Sequence, residues 1–268
     1  MLKDITLGQF FPGDSYIHKL DPRTKLIMVV LYIVALFTAS GWAGYLAVFL
    51  FLATSITISG IPLKSITRGL KPGMFIVIFT GVLNLFFTEG STEIFTVFGF
   101  TLTWEAVERA FFMVCRIMML ITGTFLLTYT TSPIALTDGL EALLSPLKRI
   151  KFPVHELSMM MCIALRFIPT LIEETDKIMS AQKARGADFE TGSLMERAQA
   201  LVPILVPLFI SAFRRADELA IAMECRCYQG GDGRTKMKQL HYTSLDFRAF
   251  GIGFALVAGV VMLGYFGW

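Results

Sequence analysis

Apolar residues gather into five runs long enough to cross a hydrocarbon layer, at 26–42, 43–59, 72–88, 110–129 and 250–268. The first two are separated only by Ser40-Gly41-Trp42-Ala43-Gly44, whose small residues permit a tight turn and whose tryptophan suits a membrane interface. They read as a helical hairpin. The run at 72–88 is short and broken at its start by Pro72-Gly73.

Between the fourth and fifth runs the pattern becomes amphipathic. Ser132-Pro133 is an N-cap followed by proline at the first helical position, and it opens a short helix through Leu144 that ends at Ser145-Pro146. Pro153 opens the next helix, over 154–185. Its residues Leu157, Met161, Ala164, Ile168, Leu171, Ile172 and Met179 recur at three- and four-residue steps and form one stripe. Arg166, Thr170, Glu173, Glu174 and Lys177 occupy the other side, with Glu173 and Lys177 spaced for an ion pair, and Gly186 supplies the stop. A third helix starts at Ser193, with Glu196 placed to close a capping box, bends at Pro203 and Pro207, and runs to about Tyr228. The apolar faces of these two long helices exceed what a small cytoplasmic domain needs. They are expected to lie along the membrane surface or beneath another membrane protein, with mutual packing accounting for part of each stripe.

The expected fold is therefore an all-α polytopic membrane protein with about five transmembrane helices and a cytoplasmic region of long amphipathic helices. Its domains are a membrane domain of four spans at 1–130, a cytoplasmic domain at 131–248 and a last span at 249–268. Composition agrees, since 54% hydrophobic residues, 24 Phe and only 17% charged residues exclude an ordinary soluble domain. Lys3, Lys19, Arg23 and Lys25 precede the first span, and Lys64, Arg68 and Lys71 lie between the second and third. The segment 89–105 has no Lys or Arg but carries Glu89, Glu93 and Glu105, whereas 131–248 holds most of the remaining basic residues. Positive residues stay on the cytoplasmic side, so the chain is expected to be N-in and C-out. The net charge of +3 then reflects topology, and no basic run with interleaved aromatics points to nucleic acid. A cleavable signal is not expected, because the first two dozen residues are mostly polar. Cys115, Cys162, Cys225 and Cys227 are too few for a disulfide framework.

Two tripeptides, Ala184-Arg185-Gly186 and Cys225-Arg226-Cys227, end the two long helices. An arginine at a helix end is placed for carboxylates or backbone carbonyls of another protein, through paired charge-assisted hydrogen bonds. The alternative is that each arginine only offsets the negative end of its own helix dipole. Catalytic and metal chemistry find little support. Glu173-Glu174 lies on a polar face beside Lys177, His155-Glu156 has no second histidine at the helical step, and Cys225 and Cys227 have only His241 nearby. Arg116 falls in the fourth span near its outer end, where it reaches the interface or faces the bundle. The spans are otherwise almost free of charge, which disfavours a self-contained permease, while the polar surroundings of Glu173-Glu174 disfavour a membrane-embedded hydrolase. No G-x-x-x-x-G-K-[ST] phosphate loop is present.

Further motifs run along the chain: Gly8-Gln9-Phe10-Phe11-Pro12-Gly13-Asp14-Ser15, His18-Lys19-Leu20-Asp21-Pro22-Arg23-Thr24-Lys25-Leu26, Ala164-Leu165-Arg166-Phe167-Ile168-Pro169, Ala181-Gln182-Lys183-Ala184-Arg185-Gly186 and Arg214-Arg215-Ala216-Asp217-Glu218-Leu219-Ala220. Together they resemble the transmembrane T component of energy-coupling factor transporters, over nearly the whole chain. The resemblance implies a non-catalytic, multi-pass subunit of the bacterial cell membrane. In that family it joins two cytoplasmic ABC ATPase subunits to a membrane-embedded S component that captures a vitamin or metal ion. It implies no cofactor on this chain, with ATP and Mg held by the partner ATPases. The family's two ATPase-docking motifs map onto Ala184, Arg185, Gly186 and onto Cys225, Arg226, Cys227, the second departing from Ala-Arg-Gly in the flanking cysteines. Met159, Met160, Met161 and Met179, flexible and polarisable, are candidates for the S-component surface, with core filling as the alternative.

Overall fold

The computed structural model describes residues 10–87, 93–97, 100–187, 189, 193–231, 237 and 239–265. They divide into two compact units, one from the residues up to 140 together with 240–265, the other from 141–239. In the first, after a single turn α1 (Tyr16–Lys19), helices α2 (Pro22–Thr38), α3 (Gly41–Ser59), α4 (Leu63–Phe87), α5 (Trp104–Thr130) and α9 (Ser244–Tyr265) pack together. A small antiparallel ribbon, β1 (Glu93–Val97) and β2 (Phe100–Thr103), joins α4 to α5. Helix α6 (Pro133–Leu144) and a 3₁₀ turn (Ser145–Ile150) lead into α7 (Val154–Ala184) and α8 (Leu194–Cys225) of the second unit. Among the described residues α3, α4, α5, α7, α8 and α9 are long and apolar enough to cross a membrane, and α2, with 17 residues, sits at the lower limit of a crossing length. The protein is an all-α polytopic membrane protein.

The core of the first unit is built by Tyr32, Leu36, Val48, Leu52, Met119 and Val260, drawn from α2, α3, α5 and α9. Tyr32 is buried because its hydroxyl is satisfied: it donates to the Met119 carbonyl at 2.8 Å. A side chain at Gly123 would strike the Tyr32 ring, so glycine lets α2 and α5 approach closely.

Several helix boundaries differ from the sequence expectation. The first hairpin turns at Ala39-Ser40, with Gly41 at φ +70°, and Trp42 joins the second helix instead of ending the first. Helix α4 begins at Leu63 and continues through Pro72. Proline removes one backbone donor, but packing along α5 compensates: Gly69 lies against Phe125 and Tyr129, Gly73 against Ile121 and Gly81 against Val114, a seam of small residues on one face.

A polar junction ties the ends of the first unit. Asp21 caps α2 by accepting from the Arg23 N–H at 2.9 Å, and its two oxygens take the Arg23 Nε and Nη2 at 3.1 Å each. The Arg23 guanidinium stacks 4.1 Å from the Tyr242 ring centre. Asp246, fully buried in the first turn of α9, accepts from the Asp21 N–H at 2.9 Å and from the N–H and hydroxyl of Thr243 at 2.8 and 2.7 Å. Lys25 donates to the His18 and Thr130 carbonyls. Replacing Asp246 by Ala leaves three donors without this acceptor, the buried Asp21 N–H among them. It is expected to destabilise the chain by about 2–4 kcal/mol, read as a lower apparent midpoint of thermal unfolding in detergent; Asp246→Asn, which keeps one acceptor oxygen, should lose less.

Candidate functional site

The candidate docking tripeptides occupy the same structural position on two helices. Helix α7 ends at Ala184 and Arg185 is its C-cap; α8 ends at Cys225, three residues short of the expected Tyr228, and Arg226 is its C-cap. After the first, Gly186 turns into the left-handed region at φ +88°, its N–H reaching Lys183 O and the Ala187 N–H reaching Gln182 O, both at 3.0 Å. After the second, Cys227 does the same at φ +55°, its N–H reaching Glu224 O at 2.8 Å and the Tyr228 N–H reaching Met223 O at 3.0 Å. Both ends are Schellman motifs, which satisfy the last carbonyls and end the helix within one residue of the arginine. The cysteines flanking Arg226 leave this backbone geometry intact, with a β-carbon carried in a conformation that favours glycine.

All six residues of the two tripeptides are exposed, and among the described residues neither guanidinium has a hydrogen-bond or ion-pair partner. Cys225 and Cys227 are free thiols. Each arginine stands at the negative end of its helix dipole, so the dipole favours the charge while leaving all five donors unused.

The structure does not bring the two arginines together. Helices α7 and α8 run antiparallel, joined by Glu174, which accepts from Ser211 Oγ and, at 3.1 Å, from Arg215 Nη2. Gln182 Nε2 donates at 3.4 Å to the Pro203 carbonyl, the acceptor left open because Pro207 lacks an N–H. Near the other end, Gly231 passes against the His155 ring, whose Nδ1 lies 3.2 Å from Glu141 Oε1. These pairings set Arg226 level with Met160, and the 1.5 Å rise per residue then separates the two arginines by roughly 37 Å along the pair. The expected Glu173–Lys177 pair does not form among the described residues; its neighbour Glu174 finds charge-assisted partners across the helix interface.

Of the methionines, Met160 is 59% exposed, while Met159, Met161 and Met179 are half-buried. The sequence reading missed a longer uncovered stripe on α8: Leu201, Val202, Leu205, Val206, Phe209, Ile210 and Phe213 recur at helical steps and are all exposed, Phe213 at 68%. Its period was present in the sequence, but which face α7 would cover was not.

The left-handed positions can be tested by exchange. Gly186→Ala is expected to destabilise its helix end by about 1 kcal/mol, and Cys227→Gly to stabilise the other by about 0.5–1 kcal/mol. Faster hydrogen exchange at the 186 and 187 amides and slower exchange at 227 and 228 would register the two effects.

Comparison with known proteins adds the family. Residues 13–237 match the CbiQ family, described as cobalt transport protein. A protein of Ruminiclostridium cellulolyticum named energy-coupling factor transporter transmembrane protein EcfT is 52% identical over 265 residues, 99% of each chain. Proteins of the same name from Clostridium kluyveri and Bacillus subtilis are 56% and 48% identical, over 93% of both chains for the first and 92% of this chain and 93% of the relative for the second. With the polytopic helical fold and near full-length similarity, the chain belongs to the CbiQ/EcfT family of energy-coupling transmembrane components of transporters.

Proposed function

We propose that this non-catalytic subunit connects two cytoplasmic ATPases, one at Arg185 and one at Arg226, to a substrate-binding S component that packs on the apolar face of α8. The observation that carries the reading is the pair of identically capped, exposed arginines at opposite ends of one antiparallel helix pair. A separation of tens of ångströms suits two separate subunits better than two contacts on one. Closure of the ATPase pair on ATP would move the two docked ends relative to each other. The helices, braced by Glu174 with Ser211 and Arg215, would carry that displacement to the uncovered α8 stripe.

The reading requires both helix ends on one side of the membrane. Were α7 and α8 to cross it, their antiparallel C-termini would emerge on opposite faces. Charges within both helices, Arg166, Glu173 and Glu174 in α7 and Arg214, Arg215, Asp217 and Glu218 in α8, disfavour crossing and support helices lying along the cytoplasmic surface.

Two experiments test this. Affinity purification of the tagged chain from its native membrane is expected to recover two ATPases and small membrane proteins. Arg185→Glu and Arg226→Glu should each weaken one ATPase attachment and together abolish both, whereas Phe209→Asp with Phe213→Asp should release the small membrane proteins and keep the ATPases. Retention of both ATPases and of transport by the double arginine variant overturns the docking assignment. In the second experiment, a membrane-impermeant maleimide should reach native Cys225 and Cys227, and a Lys183→Cys variant, from the same cytoplasmic face. Labelling of position 183 and of the native pair from opposite faces would show that the helices cross.

A further inference from the structure

At the end of the first unit marked by Trp42 and Trp104, both more than 60% exposed as interfacial tryptophans are, a recess of about 340 Å³ opens between the α2–α3 turn, α4 and α5. Ser40, Tyr45, Asn84, Arg109, Phe112 and Arg116 line it. Arg116 lies in the middle of α5, not near the end of a span as its sequence position implied, because the helix begins at Trp104. It is about 18 Å along the axis from that tryptophan, and Arg109 about 8 Å. Side chains on a helix tilt toward its N-terminus, so Arg116 rises toward the interface. Its guanidinium lies 5.7 and 5.6 Å from the ring centres of Phe37, in the last turn of α2, and Tyr45, near the start of α3.

Among the described residues, the lining holds two arginines and no carboxylate to balance them. Arg116 Nε and the Tyr45 hydroxyl are both shielded from solvent and have no hydrogen-bond partner. Among the described residues neither Arg109 nor Arg116 forms an ion pair. The nearby Glu108 carboxylate is engaged instead by Trp42 Nε1 at 3.3 Å, and the Asn84 amide nitrogen by the Thr80 carbonyl at 2.9 Å. Two guanidiniums without a carboxylate and a phenol without a hydrogen-bond partner, in a site of small-ligand size, call for an oxygen-rich anion. The site's depth in the bilayer selects its source. Phe37 and Phe111, 58% and 49% exposed beside it, present a surface for acyl chains.

We propose that this recess binds the phosphate headgroup of an anionic phospholipid, with Arg109 and Arg116 holding the phosphate oxygens and Tyr45 donating a further hydrogen bond. The inference is independent of how the ATPases dock. The test uses the full chain purified in an uncharged detergent, titrated with phosphatidylglycerol, phosphatidylcholine or inorganic phosphate, and read by native mass spectrometry and by thermal unfolding. Phosphatidylglycerol is expected to remain bound and to raise the unfolding midpoint, phosphatidylcholine and inorganic phosphate to do far less. Arg109→Gln, at an exposed position that the fold tolerates, should weaken phosphatidylglycerol binding about 10-fold or more, and Arg116→Lys less than Arg116→Gln. Equal phosphatidylglycerol binding by wild type and Arg109→Gln would overturn the proposal. So would inorganic phosphate giving the full stabilisation by itself, which would mark a free-anion site.

Discussion

The carboxylate of Asp246 is the point on which the first unit depends. A helix entering a membrane leaves its first backbone donors without partners, and the hydrocarbon offers none. Here the start of α2 and the start of α9 solve this jointly: Asp21 caps its own helix, and Asp246 accepts from the Asp21 N–H across 225 positions of sequence. That bond and the two from Thr243 satisfy the buried carboxylate, while Arg23 balances Asp21 and folds over Tyr242. The first and last helices of the unit are thereby joined side by side, and the core of Tyr32, Leu36, Val48, Met119 and Val260 closes above the junction.

The second unit combines polar bonds between its helices with an uncovered apolar face. Its interior seam carries polar bonds, Glu174 to Ser211 and Arg215 and Gln182 to the Pro203 carbonyl, while an apolar stripe of α8 faces outward. Polar bonds are directional, so these fix the register of α7 against α8 more sharply than apolar contacts would. The outward stripe carries no such constraint and is free to slide or repack against whatever covers it. The proposed coupling role would use both properties: a stiff link between its ends and an adaptable apolar face.

The two helix ends illustrate how one backbone motif tolerates different residues. Gly186 enters the left-handed region without steric penalty, whereas Cys227 does so against its own β-carbon, held there by the hydrogen bonds of Cys227 and Tyr228 back to Glu224 and Met223. In both cases the result is an arginine at the C-cap, with the chain turning away immediately after it. Glycine eases this geometry; the capping bonds define it.

Features decided within one or two turns were legible in the sequence. The Ser193–Glu196 capping box forms as its spacing requires, Ser132 accepts from the Ala135 N–H, Pro153 precedes α7, and Gly186 ends it. The apolar runs became helices because length and periodicity are properties of the chain itself. Features that depend on which surfaces meet were not legible. The sequence started the third span at Pro72, whereas α4 begins at Leu63 and runs through that proline, since its small-residue seam acquires meaning only against α5. It offered Glu173 and Lys177 as a pair, where tertiary packing chose Glu174 and Arg215. It recognised Asp21 and Arg23 without their distant partner Asp246, and it placed Arg116 too near a helix end because the length of α5 was unknown. Helix caps and periodicity are set by bonds between near neighbours, which composition and spacing encode directly. Partners far apart in sequence are chosen by the register and rotation of packed helices, and these exist only once the chain has folded.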